Sequence, residues 1–354
     1  MRLEAFTKRV MRKNKSNQSR LPLTISAQYG LVDQITFFNK VVASTDLSNY
    51  YLLKKGEFAY NKSYSSDYPW GAIKRLDNYD QGALSSLYIC FAPQDNVVSD
   101  FILQYFESPK WHKGISEIAV EGARNHGLLN VAVQDFFHTY HYVPKDKKEQ
   151  IKISKLLMLL DERIATQNKI IDKLQTLIKG IAHKVSKQGK PNIRLSECLL
   201  CTSSTLQESD VAEVGAYPVY GANGIVGYLD TYNTTSEAIY IIKDGSGVGA
   251  VSCVKGKCSA TGTLNILQTK EGFSLRYLYF ILKVFSFEPY KTGMAIPHIY
   301  FKDYGKAKIY CPSNQLQCKY ADLLSKIEQK ATAEQKILDN LCSQKQYLLC
   351  QLFI

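Results

Sequence analysis

Leu156–Leu174 reads LLMLLDERIATQNKIIDKL, and Leu323–Leu341, 167 positions later, reads LLSKIEQKATAEQKILDNL. Identical pairs join the two stretches at Leu156/Leu323, Leu157/Leu324, Lys169/Lys336, Ile170/Ile337, Asp172/Asp339 and Leu174/Leu341. Each copy follows a longer, aromatic-rich segment. The chain therefore reads segment–helix–segment–helix, which predicts two similar heads held apart by a two-helix spacer.

The first helix places apolar residues at Ile153, Leu157, Leu160, Ile164, Ile171, Leu174, Ile178 and Ile181, in alternating steps of four and three. That is a heptad seam, broken by one polar position, Gln167. The second repeats it with Tyr320, Leu324, Ile327, Ala331, Leu338, Leu341 and Leu348, and carries Glu334 where the first has Gln167. Both polar residues sit at the midpoint of their seam. An antiparallel pair sets Gln167 against Glu334, Leu160 against Leu341, Ile164 against Leu338, Leu174 against Ile327 and Ile178 against Leu324. Leu157 then meets Lys345, whose stem can snorkel. A parallel pair also opposes Gln167 and Glu334, so direction rests on architecture. Antiparallel helices give the duplication a pseudo-twofold axis and one head at each end. The lone polar pair would fix the register. A seam of this length spans about 43 Å at roughly 1.5 Å per residue, more than one turn of duplex DNA at roughly 34 Å.

The expected fold is α/β of the α+β kind, with an internal pseudo-twofold repeat. Its parts are head one (1–145), spacer helix one (146–187), head two (188–312) and spacer helix two (313–354). Head one carries a β-rich run at Leu87–Pro93, a helical run at Ser99–Trp111 and a closing Asp135–Pro144. Head two carries Glu237–Val251, Thr263–Leu267, a helical Ser274–Phe285 and a closing Lys302–Pro312. The order of elements is the same, while most loop residues differ.

Composition bounds the partners. The 354 residues carry a formal net charge of +12, and apolar residues make up 45%. Real cores and a polyanionic partner follow. The first twenty residues hold seven basic side chains against one acid, Glu4. The chain shows neither a secretory leader nor a membrane-length apolar run, so a cytoplasmic protein without a membrane partner is expected. Nine cysteines are scattered without coherent metal spacing, and Cys198-Leu-Leu-Cys201 stands alone. Reduced thiols and no bound metal are expected. His138 and His141 sit in a run read as strand, where they point to opposite faces. No Walker A sequence and no Asn/Asp-Pro-Pro-aromatic signature are present, and nothing builds a catalytic centre.

Candidate contact residues lie in polar and glycine-rich stretches read as loops. In head one these are Lys62, Ser63, Tyr64, Lys74, Arg75, Arg124 and Asn125. In head two they are Tyr220, Asn223, Lys243, Ser246, Lys291 and His298. Glycines let a backbone approach phosphates, cations neutralise them, and Asn or Arg can pair with base edges.

With two variable heads, matching helices and no catalytic motif, the chain resembles the specificity subunit of type I restriction–modification systems. The resemblance rests on the helix starts after Pro144 and Pro312, the helix of Leu156–Ile164, Tyr217–Tyr228 (YPVYGANGIVGY) and Ile239–Val251 (IYIIKDGSGVGAV). Pro22–Gln34 and Lys55–Leu76 of head one also look like such a recognition domain. The resemblance implies double-stranded DNA as ligand, each head binding one half of a bipartite, gapped site. It implies that the helices set the gap and dock two methyltransferase (M) subunits, joined by restriction (R) subunits. S-adenosylmethionine, ATP and Mg would belong to those partners, with none bound by this non-catalytic chain. The family's Pro-Pro-x-x-Glu-Gln junction reads Pro144-Lys-Asp-Lys-Lys-Glu149-Gln150 here and Pro312-Ser-Asn-Gln-Leu-Gln317 in the second copy, which lacks the glutamate. The second junction is therefore expected to be weaker or diverged. Two other readings remain open, a sequence-neutral nucleic-acid scaffold and a coiled-coil assembly adaptor.

Overall fold

The computed structural model describes residues 1–119, 127–293 and 295–353. The chain packs as two compact units, 1–166 with 338–354 and 167–337. Each unit holds one head and part of both long helices, so neither helix belongs to a separate spacer body.

Unit one opens with β1 (Thr7–Arg9), β2 (Pro22–Ser26), β3 (Gly30–Asp33), α1 (Gln34–Phe38), β4 (Tyr51–Lys54), β5 (Phe58–Asn61), β6 (Ala72–Arg75), β7 (Gln81–Leu84) and β8 (Ile89–Pro93). The helices α2 (Ser99–Glu107), α3 (His112–Ile118) and α4 (Val133–His138) follow, and then α5 (Lys147–Ser186). The strands form two sheets, β1-β8-β5-β6 and β3-β2-β7-β4. The first is antiparallel throughout, whereas β2 pairs β7 in parallel. Strand β5 (FAYN) has Phe58, Ala59 and Tyr60 all buried, because one face meets α2 and the other meets the second sheet. Phe58 stacks on Phe91, and Tyr60 stacks on Phe136 at 5.0 Å. Aromatic rings thus fill this core with large apolar area and defined geometry.

Unit two repeats the plan. It contains β9 (Ile193–Arg194), α6 (Leu195–Cys198), β10 (Leu199–Ser203), β11 (Tyr217–Gly221), β12 (Gly224–Leu229), β13 (Ala238–Ile242), β14 (Val251–Val254), β15 (Ser259–Ala260) and β16 (Leu264–Thr269). After these come α7 (Leu275–Lys283), α8 (Phe301–Tyr304), β17 (Lys308–Ile309) and α9 (Asn314–Gln351). The order β10-β16-β13-β14 matches β1-β8-β5-β6, and β12-β11-β15 matches β3-β2-β7, including the one parallel pair. Head one adds β4 at its edge, and head two adds the β9–β17 ribbon. Tyr304 occupies the place of Phe136, and both are fully buried.

The long helices pack antiparallel. In unit two, Gln167 lies against Glu334 while Gln188 accepts a hydrogen bond from the Tyr320 hydroxyl at 2.7 Å. In unit one, Lys345 pairs with Asp161, one turn beyond the Leu157 expected from the sequence. Away from the polar pair, the buried stripe leaves the ideal heptad and turns toward the heads. Ile178, Ala182 and Val185 join the head-two core with Ala321 and Leu324, and Leu157, Leu349 and Phe353 join the head-one core. There Ala182, Ala321 and Leu349 are buried one position beyond the expected seam residues Ile181, Tyr320 and Leu348.

One sequence reading is corrected. Asp135–His138 is helical, not strand. His138 is therefore a half-exposed helix end beside Glu4, and His141 is buried.

Candidate nucleic-acid interface

In head two, four loop segments converge through backbone hydrogen bonds. Lys243 donates its N–H to Thr263 O, and Thr261 donates to Tyr220 O. Gly245 donates to Pro297 O, and Ile299 donates to Lys243 O. Lys243–Gly249, the 295–298 segment and the end of the β11–β12 hairpin are thereby gathered around the start of β16, and Tyr220, read as a loop residue, belongs to β11. His298 Nδ1 lies 2.7 Å from Asp244 Oδ1, and the His298 backbone bridges to Thr292. Lys243 is half-buried, Ser246 is exposed, and Asn223 is exposed at the tip of the β11–β12 hairpin. Tyr220 is half-buried and packs edge-on against Tyr240, so its ring is partly core. Lys291 is held by Glu288 at 2.5 Å, which offsets part of its charge. The exposed Lys257, absent from the sequence reading, lies 4.9 Å over the Tyr232 ring.

In head one, Ser63 bridges Leu128, Tyr64 N–H donates to Gly127 O, and Leu129 N–H donates to Lys62 O. The Lys62–Tyr64 segment thus runs beside the chain that follows residue 126. Arg124 and Asn125 lie outside the described residues. Lys74 and Arg75 are not in a loop, since both belong to β6. Lys74 pairs with Glu107 at 2.6 Å. Arg75 pairs with Asp77 and Asp100, both at 2.7 Å. Each side chain is only 12% exposed. Their charges tie the sheet to α2, a role that a run of two basic residues does not reveal. The basic N-terminus is likewise partly engaged, with Arg12 on Glu57 and Lys13 over the Tyr51 ring.

The seam residues have their own polar centre. Gln167 Nε2 donates to Glu334 O at 3.0 Å and to its carboxylate, and Lys330 also pairs with that carboxylate. The Lys330 ammonium, then the Gln167 amide, hold the Glu334 carboxyl below the usual carboxylate range.

The junctions between heads and helices hold residues whose role the sequence reading missed. Gln150 Oε1 accepts from Val98 N–H at 2.7 Å, and its Nε2 donates to Pro144 O at 2.7 Å. Gln317, the 167-offset counterpart, accepts from Ser274 N–H at 3.0 Å and donates to Pro312 O at 2.9 Å. Both glutamines are buried. Val98 and Ser274 are the N-caps of α2 and α7. In an ordinary capping box, the N-cap N–H is met by a Glu or Gln at the third helical position. Phe101 and Tyr277 stand there instead, so a glutamine from the long helix fills the role. Lys147 and Asn314, also 167 apart, donate to Asp95 O and Gly272 O in the same brackets. A second duplicated anchor is the acid pair Asp161/Glu328. Gln104 Nε2 donates to Asp161 at 3.0 Å, and the Tyr279 hydroxyl donates to Glu328 at 2.7 Å. The missing glutamate of the second junction therefore costs neither bracket bond. The signal was legible only as the shared glutamine.

The nine cysteines are free thiols. Burial pushes Cys198 up to about 12, Cys201 to about 11 and Cys253 to about 12. No His, Cys, Asp and Glu cluster suited to a metal occurs among the described residues. No described helix is long and apolar enough to cross a membrane.

Residues 198–342 match the family described as the type I restriction modification DNA specificity domain. A segment of 112 residues is 26% identical to the type I restriction enzyme EcoprrI specificity subunit of Escherichia coli, over 32% of this chain and 28% of that protein. The fold is that of the M. genitalium type I restriction–modification S subunit, with a TM-score of 0.65 and 19% identity over 100% of this chain and 95% of that one. Head two thus matches the type I specificity domain, and the whole chain shares the fold of the S subunit. A second structure, reported for complex assembly and conformational transition of the type I R-M system, aligns at TM-score 0.58 with 14% identity, over 99% of this chain and 96% of that one. The family match falls on head two and most of α9. The specificity-subunit fold extends over head one as well.

Proposed function

We propose that this chain is the specificity subunit, the non-catalytic DNA-recognition component, of a type I restriction–modification complex. Each head reads one half of a bipartite, gapped duplex site, and the long helices set the gap. The observation that carries the proposal is unequal divergence. The brackets at Gln150 and Gln317 use the same side chain on the same backbone groups, while the loops gathered around β16 and around Lys62–Tyr64 share no residue pattern. A fixed mount with a variable reading surface suits two different half-sites. Lys62, Ser63 and Tyr64 in head one, and Asn223, Lys243, Ser246 and His298 in head two, carry the readout. Arg124 and Asn125 remain proposed contacts. Phosphate contacts set register while base-edge contacts set sequence.

The same logic extends to protein partners. Leu156 and Leu323 are identical in both copies, yet 44% and 48% exposed; Ile170 and Ile337 are identical and 37% and 43% exposed. Exposed apolar residues kept twice fit two copies of one partner, the methyltransferase subunits. Restriction subunits would join those. S-adenosylmethionine, ATP and Mg would bind to the partners, in the cytoplasm where chromosomal DNA lies. Long-read detection of methyladenine in host DNA, with and without this gene, tests the proposal. Loss of one split motif on deletion is expected. An unchanged methylome in cells that produce the partner subunits would refute it.

A further inference from the structure

We infer that Gln150 and Gln317 are positioning residues that set how strictly the gap between half-sites is enforced. This inference rests on the DNA-recognition reading above. Each glutamine sits in the fourth position of its long helix and is buried. Each spans the two backbone groups that define a head's mount, namely the N-cap N–H of the head helix and the proline carbonyl before the long helix. A carboxamide of that reach accepts at its oxygen and donates from its nitrogen at once. A shorter Asn would not span the two groups. Glu would keep the acceptor and turn a second oxygen toward the proline carbonyl.

Among the described residues the head offers no side chain that replaces the bracket. Val98 has no side-chain cap of its own; Ser274 does accept from Tyr277 N–H, but its own N–H depends on Gln317. Lys147 and Asn314 add one further bond each, to carbonyls two or three residues before the cap. Without the glutamine, the head helix meets the long helix through apolar packing and the more distant Asp161 or Glu328 anchor. Apolar contact is non-directional, so the head gains angular freedom while its reading loops stay intact. Freedom at the mount becomes tolerance in spacing, not loss of sequence preference.

The test uses the assembled complex with methyltransferase subunits, carrying Gln150→Met or Gln317→Met, and reads methylated adenines across a genome. Methionine keeps the length and removes both bonds. The expected result is that sites with a gap one base pair longer or shorter are methylated about tenfold more, relative to correct sites, than by the unaltered complex, the gain set by roughly 1.4 kcal/mol of lost discrimination. Both half-site sequences stay unchanged. Gln150→Glu, which keeps the bond from Val98, falls between the two and replaces Gln150→Met if that chain does not accumulate. A uniform fall in methylation with the same gap distribution would mean that the glutamines only stabilise the fold, and would overturn the inference. Absence of any split motif with the unaltered chain would instead remove the DNA-recognition reading, and the inference with it.

Discussion

The junction at Gln150 and the junction at Gln317 keep one device and differ in the partners that their acids take. Both use a buried glutamine to hold an N-cap and a proline carbonyl. Beyond it, Asp161 is met by Gln104 of α2 and by Lys345 of α9. Glu328 is met by three residues of α7, Arg276, Tyr279 and Lys283, and Arg276 also holds Glu237. Head two is thus fastened through a network centred on its own helix, whereas head one recruits a lysine from the second long helix. Backbone groups must be paired whatever the surface does, so the residue that pairs them is kept. Surface charges can exchange partners at small energetic cost.

The largest expected difference between the heads is in acid. Burial, then the nearby N-terminal ammonium, pushes His141 down to about 4 from 6.5. Its ring lies between the Tyr105 and Thr139 hydroxyls. The folded ring stays neutral while the unfolded one takes up a proton below pH 6.5. Stability from this group is therefore complete above 6.5 and lost as pH falls toward 4, by about 3 kcal/mol. Both tryptophans, Trp70 and Trp111, belong to unit one. Tryptophan fluorescence across pH 7 to 4 should then report an earlier loss than amide exchange in unit two. Coincident loss would place the acid-sensitive group elsewhere.

Next in size is the difference between the acid anchors. Glu328→Ala leaves the Tyr279 hydroxyl proton without its acceptor and frees one side of Arg276, and should cost unit two roughly 2 kcal/mol. Asp161→Ala, at a more exposed site, should cost unit one under about 1 kcal/mol. Equal losses in urea unfolding would erase the contrast drawn here. The polar pair of the seam gives a smaller effect. Gln167→Leu should lower the thermal midpoint of unit two by roughly 2–4 °C, and adding Glu334→Leu should restore most of it, because a satisfied apolar pair replaces a half-broken polar one. Additive losses would show that the two side chains do not act together. Smallest is a single phosphate contact. Lys62→Ala should weaken binding to the head-one half-site and lower the salt slope by about 0.9, leaving the other half-site's preference intact. Equal loss at both would break the assignment of one half-site to each head.

Much of this was legible in the chain. The duplicated helices and the Gln167–Glu334 contact follow from heptad spacing, and the antiparallel direction follows from the duplicated architecture. The shared element order of the heads follows from their β-rich and helical runs. The brackets were not legible, because Gln150 finds Val98 through tertiary packing, and because an N-cap is defined by backbone shape that short runs do not encode. Lys74 and Arg75 misled for a related reason. A basic pair reads alike in a loop and on a strand, and only the acids of α2 show that it is already paired. The place of Tyr220 beside Lys243 and His298 depends on the parallel β11–β15 pairing of Val219 with Ser259 and Tyr220 with Ala260, positions far apart in the chain.

The most direct test of two heads reading two half-sites is selection from a random duplex library by the complex with methyltransferase subunits. The account predicts enrichment of two short motifs at one fixed gap, with only one of them altered when Lys243–Gly249 is exchanged for the equivalent loop of another specificity subunit. Enrichment of a single contiguous motif, or change in both halves after that exchange, would contradict it.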